Sequence, residues 1–272
     1  MQESRESRIA PAPMSTWVVD DRPARTAAKP AEGRKRVPYR LPGDVQTDVR
    51  RVWAGTAAQR ERAINSLTKA AEAYDRHRYE EALRLVRPVV DGAPGVAAVR
   101  ELAGLAAYRS QRWSIANANL REHYKLTGSP DHLPAVMDCE RAGKRFRAIE
   151  KTFAEIIASQ PTADVLSEAR IVMAETLADQ HRYDEAIDLL VRAGAAKSLR
   201  NPAYRHVRMW YVLGDISDRA GDAVTAREMF ARVVIADPEA YDASQRLDEL
   251  GTPTPRKNRK RKKTPVSKKK LV

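Results

Sequence analysis

The chain has one cysteine, Cys139, in 272 residues. An intramolecular disulfide is therefore excluded, and a free buried thiol in a reducing compartment is expected. Long apolar runs are missing as well. No stretch approaches the roughly 18 apolar residues of a membrane helix, and the opening MQESRESRIAPAP carries charges where a secretory leader needs an apolar run. These features point to the cytoplasm and to no membrane partner. The motifs G-x4-G-K-[ST], G-x-G-x2-G, H-E-x2-H and G-x-S-x-G are all absent. No catalytic residue and no cofactor are assigned, and the chain is expected not to be an enzyme. His123, Asp131, His132 and Cys139 lie close in sequence, but no pair has the short fixed interval of zinc ligands, so no metal site is expected.

Proline and charge are present but unevenly placed. Pro11, Pro13, Pro23, Pro30, Pro38 and Pro42 crowd the first 42 residues, and Pro253, Pro255 and Pro265 the last 22. Both ends are poor candidates for regular structure. The net charge of +13 divides along the same lines: Lys and Arg against Asp and Glu number 9 to 5 in residues 1–42, 30 to 31 in 43–250, and 10 to 0 in 251–272. A near-neutral body thus carries basic tails, which differs physically from a basic domain. Three segments are expected: a disordered Pro-rich and basic extension over 1–42, a helical body over 43–250, and a disordered Lys/Arg-rich tail over 251–272.

The body is Ala-, Leu- and Arg-rich with little β-branched alternation, which favours helix. Its clearest stretch is Arg208 to Pro238, RMWYVLGDISDRAGDAVTAREMFARVVIADP. Trp210, Leu213 and Gly214 sit on a first helix, Ala226 and Phe230 on a second, and Pro238 ends it. Gly214 lets the two helices approach, and Gly221 supplies a left-handed turn between them. The spacing W-x2-L-G, then A-x3-F, then P resembles the tetratricopeptide repeat, with Ser217 in place of the pattern's tyrosine.

Four weaker copies precede it. Asp75 to Leu83, DRHRYEEAL, returns 104 positions later as Asp179 to Ile187, DQHRYDEAI. Tyr79, Trp113, Phe146, Tyr183 and Ala223 each open a second helix, at intervals of 34, 33, 37 and 40. The later excess fits a long connection over Ala193 to Pro202. In the third copy Met137 and Glu140 replace the small residue and the aromatic of the first helix, which makes it the most degenerate. His77 and His181 fall where Gly221 sits, so a turn role accounts for their recurrence. Asp44 is expected to cap an N-terminal helix with Val45, Val49, Val52 and Trp53 on one face, and Glu239 to Leu250 to form a C-terminal capping helix.

The resemblance implies an all-α, right-handed superhelical solenoid of about five helix pairs with capping helices, similar to actinobacterial tetratricopeptide-repeat proteins. It further implies a concave surface lined by the first helices. Candidate partner-binding residues there are Tyr74, Glu101, Tyr108, Asp138, Arg141, Glu175, Tyr211, Asp215 and Asp218, with Leu67, Ala71, Leu105 and Ile171 beside them. The Lys and Asn clamp by which some family members hold acidic tails is absent, because Leu67, Ala71, Glu101 and Leu105 occupy its places. An aromatic and acidic face suits a protein or peptide segment with basic and apolar side chains. The tail offers a second route: Arg256, Lys257, Arg259, Lys260, Arg261, Lys262, Lys263, Lys268, Lys269 and Lys270 would hold RNA or DNA non-specifically through counterion release. Three functions remain open in this order: an interaction scaffold, a nucleic-acid- or ribosome-associated protein acting through the tail, and an enzyme whose site leaves no motif.

Overall fold

The computed structural model describes residues 39–251. These form twelve helices and no strand: α1 (Gly43–Val52), α2 (Ala57–Asp75), α3 (Tyr79–Gly92), α4 (Ala97–Arg109), α5 (Trp113–Thr127), α6 (Leu133–Ala142), α7 (Phe146–Ala158), α8 (Ala163–Asp179), α9 (Tyr183–Arg192), α10 (Tyr204–Arg219), α11 (Ala223–Ala236) and α12 (Ala243–Glu249). Each helix packs on the next, and first helices also pack on first helices, α6 on α8 and α8 on α10. The architecture is an all-α repeat solenoid, with α2 to α11 as five pairs and α1 and α12 at its ends. The extension over 1–38 and the tail from 252 lie outside the described residues.

Each pair is joined by the same turn. His77, Gln111, Lys144, His181 and Gly221 all have positive φ, between 53° and 83°. Two backbone bonds close each turn: Arg78 N–H reaches Ala73 O and His77 N–H reaches Tyr74 O, and the equivalents recur in all five pairs. This double closure satisfies carbonyls that a helix end leaves unpaired. It also holds four non-glycine residues in a region that side chains rarely adopt. The turn role read for His77 and His181 is thus borne out.

Close approach explains the small residues of the first helices. A Cβ on Gly104 would lie 2.5 Å from Leu120 Cδ2, and one on Gly214 would lie 3.0 Å from the Phe230 ring. Phe230 is fully buried and meets Tyr211 edge-on at 5.7 Å between ring centres. The first two pairs use aromatic contacts at the turn, Tyr74 with Tyr79 and Tyr108 with Trp113. The degenerate third pair is held by charge instead. Glu140 is buried and accepts from Arg121 Nη2 at 3.2 Å, while Arg121 Nη1 reaches Glu155 at 2.6 Å and the Thr152 hydroxyl lies 2.9 Å from Glu140. A charged tie between α5, α6 and α7 replaces the aromatic that the pattern lacks there.

The buried apolar side chains form two main groups that meet on α8. Val165, Ala169 and Val172 belong with residues of the first three pairs, and Ile171, Ala174, Leu177 and Ala178 with the last two. Helix α8 is therefore apolar on two faces, as an inner helix of a stack must be.

Three local expectations need correction. Asp44 lies in the first turn of α1 and not at its cap, which is Pro42. Trp53 lies just past α1, where its ring covers Gly92 so closely that a Cβ there would come within 2.2 Å, while Val52 faces solvent. The C-terminal capping helix starts at Ala243 and not Glu239, because Tyr241 takes a positive φ of 56°.

Candidate functional site

Side chains from the first helices join into a polar strip that crosses repeat boundaries. The Tyr108 hydroxyl on α4 donates to Asp138 on α6 at 2.8 Å. Arg141 on α6 reaches back to Asp138 and forward to Glu175 and Asp179 on α8, at 2.9, 3.0 and 2.9 Å. Arg219 on α10 lies 3.4 Å from Asp179 and 3.6 Å from Asp215. Arg246 on α12 closes the strip on Asp215 at 3.0 Å and Asp218 at 2.9 Å, and Tyr211 donates to Asp242 at 2.5 Å. Five carboxylates, Asp138, Glu175, Asp179, Asp215 and Asp218, thus share three guanidiniums, Arg141, Arg219 and Arg246, while Asp242 is held by Tyr211. The strip keeps a net negative charge although every carboxylate in it has a partner.

Its most buried carboxylate is Glu175. Burial pushes this carboxyl up to about 7, with Arg141 and Arg208 pulling it down and Asp138 and Asp215 adding to the rise. The folded value lies above the ordinary 4.5, so between the two the native state keeps a proton that the unfolded chain has released. Stability from this group is fully present below that ordinary value and is lost as pH rises through the folded value, by on the order of 3 kcal/mol in all. Glu175→Gln is expected to flatten the fall in urea midpoint between about pH 5 and pH 8 relative to wild type. Parallel pH profiles for the two proteins would show that Glu175 titrates as an ordinary carboxylate.

A second polar cluster includes Glu101, about two turns before Tyr108 on α4. Glu101 on α4, His123 on α5 and His132, which precedes α6, are all buried, with one ligand-capable atom of each within 4.8 Å of the others. His132 Nε2 is 2.8 Å from Glu101 Oε1, and the two imidazole rings stand 5.1 Å apart, edge to face. The Nδ1 of His123 is buried and has no hydrogen-bond partner. Burial holds His123 below its ordinary value, and His132 adds to this while Glu101 and Asp131 oppose it. The spacing of His123, Asp131, His132 and Cys139 does not reveal the grouping, because Glu101 stands 22 positions before His123. Cys139 is buried away from this trio, among Ala107, Tyr108 and Ala116, and burial pushes its thiol up.

The fold can be set beside known proteins. The tetratricopeptide repeat family matches residues 171–241, which span most of α8 through α11. The segment 171–241 is a tetratricopeptide-repeat region. Among solved structures it is similar to TTC0263, a thermophilic TPR protein of Thermus thermophilus, with a TM-score of 0.51 and 14% identity over 69% of this chain and 98% of that one. It is also similar to YrrB, described as a TPR protein with an unusual peptide-binding site, with a TM-score of 0.43 and 14% identity over 69% of this chain and 93% of that one. No curated protein sequence matches it.

The nine candidate partner-binding residues fall into two groups. Tyr74, Glu101, Tyr108, Glu175 and Tyr211 are buried, and of these Tyr108, Glu175 and Tyr211 bond within the strip. Asp138, Arg141, Asp215 and Asp218 are half-buried and belong to the strip. The structure adds Asp179, Arg219, Asp242 and Arg246, which the sequence reading did not single out. A signal existed in the repeat register. Asp179 and Arg219 both stand four residues before the opening of their second helices. The ten basic tail residues lie outside the described residues. Among the described residues, no helix is long and apolar enough to cross a membrane.

Proposed function

We propose that this protein is a non-catalytic interaction scaffold that takes a partner segment along its first-helix face. The observation that carries the reading is the strip from Asp138 to Arg246, where five carboxylates meet three arginines over three successive repeats and α12. Carboxylate oxygens beyond those the arginines engage are acceptors for Lys or Arg side chains of a partner, and an extended or helical segment would meet them in series. Charges that are half exposed contribute mostly to association rate and selectivity.

The test is capture from a lysate of the source cells by the full chain and by an Asp138→Asn, Asp179→Asn, Asp218→Asn variant, after nuclease treatment. The scaffold reading expects proteins retained by wild type, released by moderate salt and depleted on the variant. Equal capture by both would reject the strip as the binding surface.

One observation favours a second reading. Residues 256–270 hold ten Lys and Arg and no carboxylate, attached to a body whose own charges nearly cancel. Such a tail binds polyphosphate surfaces with a steep dependence on salt. RNA binding by the full chain should then vanish when residues 252–272 are removed. Retention by the shortened chain would rule the tail out as the binding element.

A further inference from the structure

We propose that Glu101, His123 and His132 form a binding site for one divalent transition-metal cation of the Zn2+ class, buried at the junction of the second and third repeats. The three side chains come from separate segments. Glu101 is on the first helix of the second repeat, His123 on its second helix, and His132 on the loop that leads into α6. A cation held by all three would tie the second repeat to the third, whose own first helix is the most degenerate in the array.

The donor set decides the class of ligand. Two imidazole nitrogens and one carboxylate oxygen suit zinc and its first-row neighbours, whereas calcium and magnesium favour oxygen alone. With metal–ligand distances of about 2.0–2.2 Å, the donor atoms around a tetrahedral centre stand about 3.3 Å apart. Here Glu101 Oε1 and His132 Nε2 are 2.8 Å apart, and the set as a whole lies within 4.8 Å. Opening the first separation by about 0.5 Å and closing the widest by no more than about 1.5 Å reaches the required geometry, which is within the range of side-chain torsions on fixed helices.

A plain buried hydrogen bond between Glu101 and His132 explains only part of the arrangement. It gives no partner to the Nδ1 of His123, a buried polar atom left without a bond beside a second imidazole. Such orphan groups are rare in native interiors and call for an ion, a water or strain. A cation accounts for the convergence of the trio, because it accepts lone pairs from both rings while its charge offsets the buried carboxylate. The sequence distance between the donors, 22 and 9 positions, hides the set from any short motif.

The experiment uses the full chain purified without a histidine tag, stripped with chelator and titrated with Zn2+ by calorimetry and with Co2+ by visible absorption. The expected result is one site per chain at micromolar concentration, a d–d spectrum of a four-coordinate centre, and a thermal midpoint raised by several degrees on adding Zn2+. His123→Gln and Glu101→Gln should each weaken the metal by at least about tenfold, while His181→Gln, at a distant turn, should leave it unchanged. The Co2+ spectrum of the wild type decides the matter even if a variant fails to fold. No binding by the wild type, an octahedral all-oxygen spectrum, or undiminished binding by a folded His123→Gln would overturn the proposal.

Discussion

Phe230→Ala should lower the unfolding free energy by about 3–5 kcal/mol, a loss comparable to the whole stability of many domains. The ring is fully buried, stands 3.0 Å from where a Cβ on Gly214 would be, meets Tyr211 at 5.7 Å, and carries the Arg246 guanidinium 4.8 Å above its face. Its removal therefore costs transfer energy, leaves a cavity between α10 and α11, and weakens the seat of α12. Gly214→Leu attacks the same contact from the other side, by overpacking, for about 1–3 kcal/mol or more. The two changes share one space, so the double variant should lose less than the sum of the singles. Urea unfolding of the four proteins checks this. Strict additivity would mean that Gly214 and Phe230 do not share a contact.

Removing Arg208 should have an effect of similar size through a different cause. Arg208 is buried, and its Nε donates to Glu168 Oε2 at 2.7 Å across α8 and α10. Burial pushes the Glu168 carboxyl up, and Arg208 is the main influence drawing it back. Arg208→Met strands that carboxylate in the interior, for which a cost of about 3–5 kcal/mol is typical. The stranded group can escape by taking a proton, so the penalty should grow as pH rises. Changing Glu168 to Leu as well removes the buried charge altogether, and the Arg208→Met, Glu168→Leu double variant should recover most of the loss. Thermal melts at two pH values test both statements. A pH-independent penalty, or no recovery in the double variant, would point to packing by the arginine stem as the source.

What could be read from the chain follows from how far apart the interacting residues lie. The openings of the five second helices, Tyr79, Trp113, Phe146, Tyr183 and Ala223, stand where spacing put them, because helix phase and turn chemistry are local. The left-handed turns at His77 and His181 were legible through Gly221 for the same reason. Pairings across repeats were not. Arg246 finds Asp218 28 positions away, Arg141 finds Asp179 at 38, and His132 finds Glu101 at 31. No local pattern encodes such partners, and an acidic residue looks equally free in sequence whether or not an arginine waits one repeat on. The end helices misled in another way. Trp53 fits a helical face by spacing, yet its ring is drawn past the helix end by the flat bed that Gly92 offers.

The meeting of two apolar groups on α8 bears on how the array responds to load. Helices α1 to α7 contribute to one interior, α9 to α12 to another, and α8 to both. Damage on either side need not cross it. A chain built this way resembles two beams that share one joist, and a segment gripping Asp138 and Asp218 together would span the joist and brace it. The buried ties of α8 through Glu168 and Glu175 then act as fasteners whose hold depends on their charge.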